Sequence, residues 1–420
     1  MAVRGHSLVV KLQPSKLAMR VRFPLPAVFS FPPTTETLPT TMKAVVGAVL
    51  ARCPRASAGH TCAVMNWVKS LESLGFEVWI AEHLESRELE PPEPGRTRSP
   101  QEEFWHETAA EFGLTDRQCL IIDGKSPDLA AFRDFCAGAD LFLNYSGQFK
   151  LLDLLGDRIT KGYLDVDPGF TQLWVETCGT DMNFAGHDLF FTVGSNFRSP
   201  NLRLPRTGQD CIPLVPPVPG EYYRGRLVAG GGADDGKAWT TVSHWYGYND
   251  LVWEGKTYGG KRDSLHALAG LPRLAGAPFT IASDLQPGWE DHDAYVNGGW
   301  NLVSSADVCR DVDSYLRFIA GSRGEIGVAK GGYVVSRGGW ISDRSVVYLA
   351  LGRPVVLQDT GWPEVIEPRP GLAPFSTVEE AAGRIGEVEA DRASHDRGAR
   401  ELADSVFSPG SALRPVLSRL

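Results

Sequence analysis

The chain has 420 residues, of which 43% are hydrophobic and 22% charged, and its formal net charge is −9. This length is too great for one hydrophobic core, so two domains are expected. The acidic balance argues against a nucleic-acid-binding face, and we predict no nucleic-acid partner. Seven scattered cysteines without CxxC spacing favour reduced thiols and a cytoplasmic protein. No apolar run reaches the roughly 18 residues of a membrane-spanning helix, so we predict no integral membrane segment.

Residues 1–41 differ in composition from the rest of the chain. They hold five basic residues and one acidic residue, and residues 24–40 are crowded with proline and threonine. This composition predicts a disordered extension or a mis-assigned start, with Met42 as the natural beginning. A basic, acid-poor leader is also compatible with a targeting peptide.

From Met42 onward, strand and helix patterns alternate. The first unit is a strand at Lys43–Leu50, a helix at 61–74 and a strand at Phe76–Ile80, which is a Rossmann-like opening without the GxGxxG of a dinucleotide site. The alternation predicts an α/β fold of two Rossmann-like domains facing a cleft. Further predicted elements are helices at Phe104–Phe112, Pro127–Cys136, Arg262–Ala269, Val312–Ala320 and Val378–Glu389, and strands at Cys119–Ile122, Asp140–Asn144, Lys161–Val166, Leu189–Val193, Trp239–Val242, Phe279–Ser283 and Gly324–Ala329.

The predicted boundaries follow the proline content. The N-terminal domain covers 42–207, a Pro-rich linker covers 208–222, and the C-terminal domain covers 223–400. The last residues, 401–420, are predicted to form a terminal helix that crosses back to the N-terminal domain.

The stretch from Ser336 to Gly361 has the pattern of an anion-binding α/β unit. Two glycines allow close approach of the backbone to a ligand, two N-cap residues open an apolar helix, and a buried strand ends in a polar loop. Helix N-termini of this kind bind phosphate; an ordinary αβ turn has the same pattern. The residues concerned are Gly338, Gly339, Ser342, Asp343, Gln358, Asp359, Thr360 and Gly361.

This stretch resembles the donor-nucleotide segment of GT-B glycosyltransferases, in particular the bacterial "glycosyl transferases group 1" branch with CgeB-like domains. Arg337–Ser342 stands where inverting members carry His-Cys-Gly-Trp-Asn-Ser, Gly352–Val356 matches their Gly-x-Pro-Val strand, and Thr360–Val365 is similar to the Gly-Gly-x-x-Glu loop of retaining members. Two departures stand out. Arg337 replaces the phosphate-binding histidine, and Asp343 is the nearest carboxylate to the ribose-binding position.

The resemblance implies a metal-independent, hexosyltransferase-type enzyme. It would move a sugar from a nucleotide-diphosphate donor, expected to be a UDP-sugar, to a hydroxyl of a small-molecule or glycan acceptor. The first domain would then be the acceptor side and the second the donor side, with no cofactor beyond the nucleotide-sugar co-substrate and no metal ligands. The donor-site residues are expected to be Ser243, Trp245, Lys330, Arg337, Gly338, Gly339, Ser342, Asp343, Gln358, Asp359, Thr360 and Gly361.

Charge stabilisation of the leaving diphosphate needs a cation when no metal supplies it. Five cations of the second half are available, and the position of Arg337 beside the two glycines favours it over the others. Trp245 is interpreted either as a stacking partner for the nucleobase or as a core aromatic, and Ser243 as a phosphate contact. The five cations are Lys256, Lys261, Arg262, Lys330 and Arg337.

Two residues of the first half are candidates for the catalytic base. His60 follows the first strand at the expected cleft, and an imidazole suits removal of a hydroxyl proton; it is alternatively a solvent-facing loop residue or a residue at a helix N-terminus. Asp167 ends an Asp-x-Asp after a strand. In the GT-A class such a motif holds a metal, in a GT-B fold it would be a base or acceptor contact, and Asp-Pro-Gly is also a turn by itself.

Two other functions use the same features. A nucleotide-sugar 2-epimerase shares the fold and the donor pocket but needs no acceptor. A catalytically inactive GT-B scaffold would bind a partner, and the departures at Arg337 and Asp343 are compatible with it.

Overall fold

The computed structural model describes residues 41–53, 58–229 and 236–420. Within these residues the core consists of two parallel sheets, and the predicted extension lies outside the described residues except for its last residue, Thr41. The first sheet has the strand order β3-β2-β1-β4-β5-β6-β7 and the second has the order β12-β11-β8-β13-β14-β15. Every strand pair in both sheets is parallel. The predicted α/β class with two Rossmann-like halves is confirmed.

The strands are β1 Lys43–Gly47, β2 Glu77–Leu84, β3 Gln118–Ile122, β4 Leu141–Tyr145, β5 Thr160–Asp165, β6 Leu189–Thr192, β7 Cys211–Pro213, β8 Trp239–Ser243, β9 Leu251–Trp253, β10 Lys256–Tyr258, β11 Phe279–Ser283, β12 Trp300–Ser304, β13 Gly324–Gly327, β14 Val355–Gln358 and β15 Leu372–Phe375. The helices of the first half are α1 Ala58–Ser73, α2 Pro100–Glu111, α3 Leu129–Cys136, α4 Phe170–Cys178 and α5 Gly220–Ala229. Those of the second half are α6 Arg262–His266, α7 Leu271–Ala275, α8 Glu290–Gly298, α9 Ser305–Val308, α10 Val312–Ala320, α11 Gly331–Ser336, α12 Asp343–Ala350, α13 Val378–Ala390, α14 Arg392–Ser405, α15 Pro409–Ala412 and α16 Arg414–Leu417. Short 3-10 turns lie at Ser86–Glu88, Leu152–Leu155 and Trp362–Glu364.

The segment predicted as a linker contains a strand. β7 pairs in parallel with β6, in register Phe191↔Ile212, and extends the first sheet at its edge. Pro213 is tolerated there because an edge strand has one side without ladder hydrogen bonds. Proline content alone therefore does not separate a connection from an edge strand.

Several elements of the second half were not predicted, among them α7, α9, α11 and β15. β9 and β10 form an antiparallel hairpin joined by Glu254 and Gly255, both with positive φ. The usual sequence of such a two-residue turn is Asn-Gly or Asp-Gly, and Glu-Gly predicts a hairpin less strongly. The pair α8 and β12 was also missed, because the many polar residues of 290–304 mask its period.

The two halves touch along one continuous junction. The loop after β6 forms an antiparallel bridge with the loop before α12, at Gly194↔Trp340. The C-terminal helices return to the first half, since α15 contacts α1 and the Val218 N–H donates to the Phe407 carbonyl at 2.8 Å. One cluster of buried apolar side chains includes residues of both halves.

Candidate functional site

A cavity of about 210 Å³ lies where the two halves meet. The first half contributes the start of α1, and the second half contributes the carboxyl end of β8, the N-terminus of α12 and Lys261. Ligands of parallel α/β sheets bind at this edge, beyond the carboxyl ends of the strands. The lining includes Gly59, Ala63, Val242, Ser243, His244, Lys261, Ser305, Cys309, Tyr315, Ser342, Asp343 and Arg344.

Lys261 is a cation without an acidic partner. Its side chain is partly buried, and it makes no hydrogen bond or ion pair with any other described residue. Burial lowers the pKa of Lys261 well below its usual value, and the charges of Arg344 and Lys330 lower it further. An anion placed in the cavity would relieve both effects.

Arg344 is held rigidly beside Lys261. Its Nε donates to the fully buried carboxylate of Glu325 and its Nη1 donates to the carbonyl oxygen of Val242. Its Nη2 is buried and has no hydrogen-bond partner in the described residues. The guanidinium is therefore fixed in orientation, and its Nη2 is a hydrogen-bond donor that a ligand could use.

The N-terminus of α12 reaches the same cavity. Ser342 is the N-cap, and its Oγ accepts a hydrogen bond from the Arg344 N–H at 3.2 Å. Burial, and then the nearby charge of Asp167, raises the pKa of Asp343 to about 7. One oxygen of that carboxyl, Oδ1, is buried without a partner in the described residues. Ser243, Ser342 and Asp343 are thus the predicted donor-site residues that line the cavity.

Asp167 joins the two halves instead of standing free. Its carboxylate accepts hydrogen bonds from Lys330 at 2.9 Å, from the Tyr248 hydroxyl at 2.9 Å and from the Tyr333 hydroxyl. Burial alone would raise the pKa of Asp167, but Lys330 and the hydroxyls of Tyr333 and Tyr248 outweigh it and lower the pKa below its usual value. The Lys330 ammonium also lies 3.5 Å from the centre of the Tyr248 ring. A carboxylate stabilised in its charged form is a weak proton acceptor.

His60 lies at the first-half side of the junction. Its Nε2 is bonded to the carbonyl oxygen of Val49, and its ring meets Tyr145 edge-on at 6.4 Å. A carbonyl oxygen only accepts, so Nε2 carries the proton and the neutral ring keeps its lone pair on Nδ1. Burial lowers the pKa of His60, although the Val49 carbonyl and Asp167 oppose this. The neutral imidazole is the form that a base requires.

The two glycines of the stretch predicted to bind phosphate, Gly338 and Gly339, pack instead against the first half. The Ser195 and Asn196 N–H groups donate to the carbonyls of Gly339 and Gly338 at 3.2 and 3.0 Å. A Cβ at Gly339 would lie 2.4 Å from the Asn196 nitrogen, so the close approach that requires this glycine is to another loop of the protein. This geometry does not support the expectation that the two glycines let a ligand approach the backbone.

Arg337 already has acidic partners. Its guanidinium contacts Glu364 at 2.7 Å and Asp359 at 3.5 Å, and Asn196 donates to the same Glu364 carboxylate at 3.0 Å. We call Arg337, Asp359, Glu364 and Asn196 the Arg337 cluster. Arg337 is the C-cap residue of α11, and its backbone has a left-handed conformation with φ of 56°. The charge expected to face phosphate is thus compensated within the protein.

The other predicted donor residues take structural positions. The Thr360 hydroxyl donates to the Trp340 carbonyl at 2.6 Å, the Gln358 side chain accepts from the Ala329 N–H at 3.0 Å, and the Gly361 N–H donates to Asp359 at 2.7 Å. These bonds connect the strand end of β14 to the neighbouring loops.

Trp245 belongs to the core of the second half. The ring is fully buried, and its Nε1 donates to Asp291 at 2.8 Å. It exposes no surface on which a base could stack, so of the two interpretations the core aromatic fits. Arg344 and Glu325 were not among the predicted residues, because a charged pair inside an apolar α/β pattern has no motif of its own.

No protein-family model and no curated protein matches the sequence. Solved structures do resemble it. An α-glucosyltransferase in complex with UDP-glucose and DNA containing an abasic site has a TM-score of 0.53 and 12% identity over 90% of this chain and 98% of that chain. An α-glucosyltransferase with UDP and a 13-mer DNA has a TM-score of 0.53 and 12% identity over 90% of this chain and 99% of that chain. Alr3699/HepE of Anabaena in complex with UDP-glucose has a TM-score of 0.50 and 13% identity over 90% of this chain and 100% of that chain.

At 12–13% identity these likenesses define the fold. The chain has the two-sheet GT-B architecture, as the sequence resemblance implied. Across the described ranges, no group of three or more His, Cys, Asp or Glu side chains is placed to hold a metal ion. None of the helices described is long and apolar enough to cross a membrane.

Proposed function

We propose that the protein is a glycosyltransferase that takes its sugar from a nucleotide-diphosphate donor, with a UDP-sugar as the expected donor. The observation that carries the proposal is Lys261, a partly buried cation in the cavity between the two halves of a GT-B fold that forms no ion pair with any described residue. A buried, uncompensated positive charge is costly unless an anion accompanies it. The presence of UDP or UDP-glucose in the similar structures supports a diphosphate as that anion.

The donor diphosphate would lie between three groups. Lys261 and the free Nη2 of Arg344 would contact its oxygens, and the N–H groups at the start of α12 would add their dipole. Because Lys261 supplies a positive charge of the kind that a metal would otherwise give, and Arg344 a further hydrogen-bond donor, we propose a metal-independent reaction without a further cofactor.

His60 is the proposed base. Its Nδ1 would take the proton of an acceptor hydroxyl while that oxygen bonds to the anomeric carbon of the donor sugar. The bond from this carbon to the β-phosphate oxygen breaks, and its electron pair stays on the diphosphate beside Lys261. Asp167 is proposed to hold Lys330 and to align the halves. The first half would thus be the acceptor side, facing a small-molecule or glycan hydroxyl.

The finer assignments depend on the sequence alone. Membership of the bacterial CgeB-like branch and transfer of a hexose are proposed from the Ser336–Gly361 resemblance. The cytoplasmic location and the lack of a nucleic-acid partner remain predictions from composition.

Binding of UDP, GDP and uridine, followed by calorimetry, tests the proposal. UDP or GDP should bind far more tightly than uridine, and a ligand at a hundred times its Kd should add about 2.7 kcal/mol of stability. Equal affinity for uridine and UDP, with no stronger binding of GDP, would contradict it. A second assay follows UDP-glucose with and without a mixture of sugar acceptors. Sugar transfer supports the proposal, inversion at C2 without acceptor supports the epimerase, and tight binding without turnover supports the inactive scaffold.

A further inference from the structure

Glu82 is a buried carboxylate that the proposed reaction does not use directly. It lies on β2 and is 3% exposed. Three successive backbone N–H groups of the loop after β1 donate to it: Leu50 at 2.7 Å, Ala51 at 2.8 Å and Arg52 at 2.9 Å. Consecutive N–H groups converging on one anion form a nest. Here the anion is a side chain of the neighbouring strand.

These bonds determine the conformation of the loop. In the described residues, the three N–H groups have no other acceptor. The Arg52 guanidinium forms its hydrogen bonds elsewhere, with Glu88 at 2.7 Å and the His83 carbonyl at 2.9 Å, and only its charge favours the Glu82 carboxylate. Burial raises the pKa of Glu82 to about 7 against the three N–H bonds, which favour the carboxylate. One side chain thus holds a loop that lies at the carboxyl end of a central strand.

The loop leads directly to the proposed base. Val49 immediately precedes the nest, and its carbonyl accepts the hydrogen bond from His60 Nε2. The orientation of this carbonyl fixes which ring nitrogen carries the proton. If residues 50–52 turn away, the Val49 peptide turns with them and His60 loses its fixed partner.

We propose that Glu82 is a positioning residue for the reaction. It anchors residues 50–52, so that the Val49 carbonyl keeps His60 as the Nε2–H form and leaves Nδ1 to accept the acceptor proton. The inference rests on the proposed function for its catalytic meaning, whereas the effect on the His60 ring is a property of the structure alone.

The test compares Glu82→Gln with Glu88→Gln. The glutamine keeps the shape of Glu82, but its amide donates, so at least one loop N–H loses its acceptor. The control removes the other carboxylate near Arg52 without touching the nest. The imidazole ¹⁵N shifts of His60, assigned with a His60→Ala sample, report which nitrogen is protonated. The kcat and the donor KM are measured on the same proteins.

In the wild type and in Glu88→Gln, the His60 shifts should show the Nε2–H form. Glu82→Gln should show a mixture of both forms, and its kcat should fall about tenfold with little change in donor KM. Unchanged His60 shifts in Glu82→Gln would overturn the proposal. An Nδ1–H form in the wild type would overturn it as well, even if Glu82→Gln does not fold. Absence of turnover in the wild type would instead count against the proposed function. It would not affect the ¹⁵N result, because the protonation of the His60 ring is measured without turnover.

Discussion

Two regions of the second half present an arginine beside a helix end, and they differ in what surrounds the charge. In the Arg337 cluster, Asp359 and Glu364 contact the guanidinium, and Gly339 is pressed against the first half. In the cavity, Arg344 is also paired, with Glu325, although its Nη2 has no hydrogen-bond partner, and Lys261 forms no ion pair with any residue that the structure describes. The first region closes the junction, and the second is prepared for an anion. Both arginines have acidic partners, so what separates the two regions is the unpaired charge of Lys261 and not the position of an arginine in a motif.

The largest expected effect is on the junction. At Gly339, φ is +78° and a Cβ would lie 2.4 Å from the Asn196 nitrogen, so Gly339→Ala should lower the free energy of unfolding by about 3 kcal/mol. Gly338 is the matched control, because its Cβ would meet no atom closer than 3.7 Å. Gly338→Ala should change stability by less than about 1 kcal/mol. Chemical unfolding of both variants measures the difference, and equal losses would mean that the junction does not depend on this contact.

The next effect concerns diphosphate affinity. Lys261→Met should weaken UDP binding about 10- to 100-fold, the range of a charge-assisted hydrogen bond. Arg337→Met should weaken it less than about threefold, since Arg337 is occupied by Glu364 and Asp359. Calorimetric titration of both variants ranks the two regions. A larger loss in Arg337→Met would place the phosphate beside Arg337, the cation that the sequence favours.

The smallest effect is a change in protonation. The pKa of Lys261 is lowered in the free protein, and a bound diphosphate should raise it. Binding of UDP should therefore take up a fraction of a proton, and affinity should fall as the pH rises through the free lysine's pKa. Titrations in buffers of different ionisation enthalpy measure this uptake. It should be absent in Lys261→Met, and an equal uptake in that variant would place the titrating group elsewhere.

Much of the fold could be predicted because its signals are local. The strand at Phe279–Ser283 and the helix at Val312–Ala320 have the predicted bounds, since a short β-branched run and a 3.6-residue apolar period are readable over a few residues. Edge strand β7 and the β9–β10 hairpin were missed, because their stability comes from neighbours that the local pattern does not contain.

The candidate site was also predicted only in part. Ser342 and Asp343 were predicted from their N-cap pattern and do line the cavity. Lys261 was one of five available cations, and its neighbours in the sequence favoured Arg337 over it. Asp167 and Lys330 were both named, but their pairing across 163 positions was not foreseen.

By itself, the sequence determined the alternation of strands and helices and the helix start at Ser342, because each depends on neighbours a few residues apart, and its family resemblance implied the GT-B fold. Only the tertiary structure decided which charges are compensated and which remain open to a ligand. Lys330 meets Asp167, and Arg337 meets Glu364, through contacts between distant parts of the chain. Coulomb energy depends on distance in space and on burial, and neither quantity can be read along the chain.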